Sequence, residues 1–334
     1  MKNKKVVVDA KQCANIARIL QKLNFRSSFL KREYLTFESD KETKLRAYFY
    51  SVAICHQTRT LASKKLGIVG WDYLERVYVD LAKGRSKLLD PEFLSNQTTD
   101  QLTLELAKFF SDNGNPQNCT LDRLPERANL IIDASQKLVK NHKGSVSDLI
   151  SASSGNIEGN KGMYDLLDEF EAYSDPLRKK SGVFIKFMSD AKLIEINDPE
   201  NFIPIMDYHM QRVLLRLGCI VVNDQQLLSA LRNKEPLKSD AHTRSSSIEA
   251  LRIIANESGH TLMSMNDFFY PLGRSCCKEK TLCKDGVCNK DPCTFNLVVD
   301  LPSHNDCIFN GTCKGSKDEN YRNLWEPMVD TNYY

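Results

Sequence analysis

Apolar residues recur at helical spacing through most of this chain. Over 10–24 the run Ala-Lys-Gln-Cys-Ala-Asn-Ile-Ala-Arg-Ile-Leu-Gln-Lys-Leu-Asn follows the 3.6-residue period of an amphipathic helix. A helix is expected over 43–57, where Leu45, Tyr48, Phe49, Val52 and Ala53 make it apolar enough to be buried on most sides. The spacing also predicts helices over 100–112 and 124–141. The second carries Leu130, Ile131, Ala134 and Leu138 on one face and stops before Gly144, a residue suited to ending a helix. Further helices are expected at 163–172, 180–190 and 207–217, and Ser246-Ser-Ile-Glu249 reads as a capping box opening a helix to Ser258. Strand-like alternation is confined to Val6–Val8 and Ile220–Val222. Gly, Asn, Ser and Pro concentrate at 84–99, 113–122 and 151–161, which read as loops. The expected class is mainly α: an N-terminal helical extension (1–42), a pair of helical lobes (43–260) and a cysteine-rich loop with a tail (261–334).

Length and charge narrow the picture only a little. A chain of 334 residues can bury one large core or two smaller ones. Its net charge of +3 does not by itself announce a nucleic-acid partner. No run approaches the roughly 18 apolar residues needed to span a bilayer. Met1-Lys-Asn-Lys-Lys-Val-Val-Val-Asp9 lacks the apolar stretch of a signal sequence. A cytoplasmic monomer with no membrane partner is expected.

That compartment changes the meaning of the cysteines. Seven of eleven fall between Cys276 and Cys313, and in a reducing cytosol clustered thiols bind metal more often than they pair. Cys13, Cys55, Cys119 and Cys219 are scattered among apolar residues and read as small buried hydrophobes. Zinc sites usually show two tight Cys-x2–4-Cys knuckles. Here the gaps are longer, and the best-formed pair is Cys307-Ile-Phe-Asn-Gly-Thr-Cys313. Thiolate-only sites on wider loops suit a 4Fe–4S cluster, with zinc as the alternative.

Asp207 follows Pro204-Ile-Met and precedes a helical run, which places it at an N-cap. There its carboxylate accepts backbone N–H bonds, and the helix dipole favours the charged form. A fixed anion in a dry pocket suits N-glycosidic cleavage. Cationic character grows on the sugar as the bond breaks, and the carboxylate stabilises it while orienting a nucleophile.

Asp-Tyr-His-Met-Gln-Arg-Val at 207–213 resembles the Val-Asp-Thr-His-x-x-Arg-Val segment of the helix-hairpin-helix DNA glycosylases of the endonuclease III type. Ser51-Val-Ala-Ile-Cys-His-Gln-Thr58 is similar to that superfamily's early helix. Arg127–Gly144 resembles its helix before the hairpin, and Leu272-Gly-Arg-Ser-Cys-Cys277 resembles the Gly-x-x-x-Cys approach to its iron–sulfur loop. The resemblance spans roughly 43–313, in the family's order. Two features depart from it. The hairpin Leu-Pro-Gly-Val-Gly-x-Lys-Thr-Ala is represented only by Ser174-Asp-Pro-Leu-Arg-Lys-Lys-Ser-Gly182, without its glycines. Of the family's Cys-x6-Cys-x2-Cys-x5-Cys spacing, only the last gap survives, as Cys307 to Cys313.

The resemblance implies a two-lobed all-helical glycosylase-like fold around a cleft, with a structural 4Fe–4S loop near the C-terminus. It implies base excision from damaged or modified DNA. By its spacing the cluster ligands are Cys277, Cys293 (after Asp291-Pro292), Cys307 and Cys313. Asp207 is the implied catalytic carboxylate, and Lys180 the implied Schiff-base nucleophile if the enzyme is also a lyase. Gln57 would wedge into the space of a flipped base. His56, Tyr208 and His209 would line the substrate site, and Arg178 and Lys179 would touch DNA phosphates. The missing glycines, which would let backbone N–H groups approach a phosphate, keep two alternatives open. One is an N-glycosylase of a free nucleoside or nucleotide. The other is a non-catalytic iron–sulfur protein that binds nucleic acid.

Overall fold

The longer helices are α1 (Ala10–Leu20), α2 (Lys41–Ala53), α3 (Trp71–Lys83), α4 (Thr99–Phe109), α5 (Leu124–His142), α6 (Lys179–Asp190), α7 (Tyr208–Leu217), α8 (Gln225–Asn233), α9 (Ala241–Ser258) and α10 (Leu262–Ser275). They belong to a computed structural model that describes residues 4–290, 293–301 and 305–334. The architecture is mainly α, and the described residues include no helix long and apolar enough to cross a membrane.

The chain forms two units, Met1–Phe29 with Ile203–Asp330, and Leu30–Phe202 with Thr331–Tyr334. The extension expected over 1–42 is therefore divided near position 29. The expected boundary at 260 falls inside the first unit. The reason is local pairing across a long sequence gap. The expected strands, β1 (Val6–Val8) and β2 (Ile220–Val222), pair antiparallel with Val6 opposite Val222, and α1 packs along α9. These contacts draw the N-terminus into the unit that carries the cysteines.

In the first unit α7 lies against α10 and α9. The approach of α7 and α10 explains Gly273: a Cβ there would stand 2.9 Å from the His209 carbonyl oxygen. In the second unit α2 is covered by α3, α5 and α6. Its aromatic side chains build a core in which Phe49 stacks on Tyr173 with centroids 5.2 Å apart. Tyr173 also donates its hydroxyl to the Phe49 carbonyl at 2.6 Å, which satisfies the polar tip of an otherwise apolar body.

The periodic reading places six helices close to where they lie; of the one expected over 163–172, only Met163–Leu167 is α-helical. Helix α5 ends as expected: Lys143 and Gly144 are both left-handed, and the Gly144 N–H returns to the Leu138 carbonyl at 3.0 Å, closing the Schellman pattern. Ser246-Ser-Ile-Glu249 is not a helix start. Helix α9 begins at Ala241 after Asp240, and the Arg244 N–H already bonds the Asp240 carbonyl at 2.8 Å. Burial of Thr243, Ser247 and Ile248 overrides the serine-rich composition. Among the longer helices, α3, α8 and α10 were not anticipated. The last contains Pro271, which reads as a breaker from sequence alone. A short helix, Pro91–Ser95, stands inside the expected loop at 84–99.

Candidate functional site

In the first unit, Asp207 caps α7. Its backbone is extended and its carboxylate accepts the Met210 N–H at 2.9 Å; the residue is 7% exposed. The cap comes from sequence as expected, while its burial comes from tertiary packing. One turn on, Arg212 is fully buried and saturated with partners. Its Nε donates to the Cys277 carbonyl at 2.9 Å and its Nη2 to the Gly273 carbonyl at 2.8 Å. It also pairs with Glu326 and lies over the Trp325 ring. His209 Nδ1 is 3.1 Å from Arg212 Nη2; the guanidinium can only donate, so Nδ1 is the acceptor. The helix that presents Asp207 is thereby locked to the start of the cysteine loop. Arg212 stood in the 207–213 motif without an assigned role; an arginine on the apolar face of an amphipathic helix was the available signal.

Arg216, one turn further, links the next layer. It donates to the Cys277 sulfur at 3.5 Å and to the Lys278 carbonyl at 2.7 Å, while Cys313 Sγ donates to the Arg216 carbonyl at 3.2 Å. A tight turn pairs Cys277 with Thr281 and brings Cys283 back beside Cys277. Burial pushes the Cys313 thiol up to about 12, and Cys277 and Cys283 add to the effect. Cys307 is raised by burial and then by Cys277, Cys283 and Cys313. Cys283 is also raised, by burial first and with Cys277 contributing. These four thiols thus lie within electrostatic range of one another, as two Cys-x5-Cys pairs. Cys276 is raised by burial first, then by Cys307, Cys293, Cys288 and Cys277, and Asn289, next to Cys288, is tied to the Ser275 carbonyl. Cys293, expected in the ligand set, lies within range of Cys276; Asp291 and Pro292, on which that choice rested, lie outside the described residues. Among the described residues no three Cys, His, Asp or Glu side chains stand in a metal-holding group. The donor chemistry nevertheless fits a thiolate-bound metal. Four neighbouring thiols, Cys313 buried and Cys277, Cys283 and Cys307 half-buried, ionise together only if a cation compensates them.

The second unit brings His56, Gln57, Lys179 and Lys180 to the end of α2. Lys180 is fully buried and its amine donates to the Ala53 carbonyl at 2.5 Å. Burial pushes it down to about 7, with Lys179 and Arg127 acting the same way. It is therefore half neutral at neutral pH, as a nucleophilic lysine requires. Arg127, which sequence reasoning missed, donates to the carbonyls of Ile54 and His56 and pairs with Asp122. A buried guanidinium thus satisfies the acceptors left open where α2 ends. His56 is fully buried, and neither ring nitrogen has a hydrogen-bond partner. The Glu126 carboxylate lies 3.7 Å from Nε2. Burial, then the charges of Lys180 and Arg127, hold the ring neutral far below its usual range. Gln57 is left-handed, with φ 44, and its side-chain oxygen accepts from Arg123 at 3.0 Å.

Arg178 and Lys179 were expected to face phosphate, and their surroundings oppose that. Lys179 is buried and donates to Cys55 Sγ at 3.3 Å. Arg178 pairs with Asp168 and lies over Tyr164. The turn before α6 keeps a left-handed residue without glycine, because Arg178 itself adopts φ 60, at a cost of roughly 1 kcal/mol. The buried Asp175 carboxylate accepts the N–H groups of Leu177 at 3.0 Å and Lys179 at 2.8 Å. Backbone donors that a hairpin would offer to a phosphate are taken by an internal anion.

Comparison of the sequence with protein-family models and with curated proteins gives no match.

Proposed function

We propose that this protein is an N-glycosylase that cleaves a base–sugar bond. The observation that carries the reading is Asp207: a nearly buried carboxylate held at a helix N-terminus by the Met210 N–H. A pre-positioned anion of this kind stabilises the cationic sugar as the bond to the base breaks, without reorganising in the reaction. Arg212 positions that helix against the Cys277 backbone. Lys180, whose amine burial pushes down to about 7, is the amine that the resemblance implies for lyase chemistry. Cys277, Cys283, Cys307 and Cys313 would hold a 4Fe–4S cluster, with zinc the alternative for the same four thiols. Such a centre cross-links the loop and contributes folding free energy.

Damaged or modified DNA is the substrate that the resemblance implies. A specific observation favours a second reading, the free nucleoside or nucleotide. Asp175 occupies the N–H groups of the turn before α6, and Arg178 and Lys179 are engaged internally. A screen for released base over lesion-bearing duplexes and free nucleosides separates the two. Asp207→Asn keeps the cap, since Asn caps about as well, but removes the charge. Turnover should fall by about two orders of magnitude or more with substrate binding retained. Near wild-type turnover by Asp207→Asn refutes the glycosylase reading. Strand binding with no base release from any substrate would leave a non-catalytic nucleic-acid-binding protein.

A further inference from the structure

The first unit contains a cavity of about 580 Å³ away from Asp207, and its lining is unusually cationic. Arg216, Arg232, Lys234, Lys284 and Arg322 converge on it around Trp325. They come from five different places: α7, the end of α8, the residue after it, the short helix Leu282–Asp285 and the short helix Glu319–Arg322. Among the described residues none of the five forms an ion pair with a carboxylate. The acidic groups in the wall are Glu279, Asp285 and Glu319. Asp285 is turned onto its own loop, where it accepts the Thr281 N–H at 2.6 Å. Five cations against three carboxylates leave an uncompensated positive charge in a concave site.

Two features say what the cavity recognises. Arg216 is 4% exposed. Its Nε and Nη1 are held by the carbonyls of Leu324 and Lys278. Nη2 has no protein acceptor among the described residues, in a guanidinium that lines the cavity. The Trp325 ring already carries Lys234 Nζ at 4.1 Å and the Arg212 and Arg216 guanidinium carbons at 4.7 and 5.5 Å. The indole thus helps to hold cations at the cavity wall. The site therefore selects for negative charge and for oxygen acceptors that a guanidinium fork and lysine amines can share.

We propose that this cavity binds a compact phosphate-bearing polyanion of di- or triphosphate size. Asp207 does not line this cavity. The shared chemistry is a chain of phosphoryl oxygens, which a free polyphosphate tail or the backbone of a nucleic-acid strand can supply. The test is calorimetry on the 334-residue chain as purified, at fixed ionic strength. Inorganic tripolyphosphate is the probe, sulfate the control for screening, and a Lys234→Ala/Lys284→Ala variant at two exposed positions the comparison. Saturable 1:1 binding of tripolyphosphate, weakened at least about 10-fold in the variant, is the expected result. Absence of saturable binding, binding matched by sulfate, or equal affinity in a folded variant overturns the proposal. An oligonucleotide displaced by tripolyphosphate and weakened by the same substitutions identifies the source as a strand. An oligonucleotide indifferent to both identifies a free polyphosphate. Failure here leaves the Asp207→Asn outcome untouched, which keeps the two readings separately refutable.

Discussion

Lys180→Met tests whether the buried amine at the end of α2 is poised near neutrality. An ordinary lysine titrates near 10.5; burial brings Lys180 to about 7. At pH 7 about half of the Lys180 amines are neutral, against roughly 0.03% for an exposed lysine. The same shift works against folding. The folded pKa lies below the unfolded one, so the penalty is complete below pH 7, where both states carry the proton. It fades between pH 7 and 10.5, where only the unfolded chain does. A shift of this size corresponds to a penalty on the order of 4–5 kcal/mol at neutral pH. Methionine removes it, but leaves the Ala53 carbonyl without its donor, at a cost of about 1–3 kcal/mol. That cost does not vary with pH, so the difference between wild type and variant isolates the titration. Urea unfolding of both proteins from pH 6 to 9 should show the advantage of Lys180→Met nearly constant up to pH 7. From pH 7 to 9 the advantage should shrink by about 2 kcal/mol. A difference that stays flat from pH 6 to 9 would show that Lys180 titrates like a surface lysine, and its role as a neutral nucleophile would go with it.

Three further outcomes follow from the first unit. Cys283→Ser should abolish metal content and visible absorption while Cys293→Ser keeps both, read by metal analysis of anaerobically prepared protein; the reverse pattern would return Cys293 to the ligand set. Gly273→Ala places a methyl group 2.9 Å from the His209 carbonyl oxygen and should cost about 1–3 kcal/mol in chemical denaturation; an unchanged midpoint would show that α7 and α10 separate freely. Arg212→Met removes the ion pair of the buried Glu326 carboxylate and should cost about 3–5 kcal/mol; adding Glu326→Gln should recover a measurable part of that loss in a double-mutant cycle.

The parts of this molecule that sequence reveals are those governed by short-range rules. Asp207 at a cap, the stop of α5 at Gly144, and the strands Val6–Val8 and Ile220–Val222 each depend on residues within a turn or two of one another. What sequence hid depends on partners far along the chain. Arg127 reaches carbonyls of Ile54 and His56 more than 70 residues away, and no local pattern separates such a residue from a solvated arginine. Lys180 sits in a run, Arg178-Lys179-Lys180, that reads as an exposed basic face. Only the packing of α6 on α2 turns two of its three side chains inward and changes what they can do. The cysteines show the same limit in another form. Spacing reports how much chain separates two thiols, and on that measure Cys283 and Cys293 compete. The turn that pairs Cys277 with Thr281 instead folds Cys283 back toward Cys277, and Arg216 from α7 touches both Cys277 and Cys313. The grouping of these thiols is thus set by the helix that Asp207 caps. A metal centre there would stiffen the mount of the proposed catalytic carboxylate, and losing it should loosen Asp207 before it unfolds the chain.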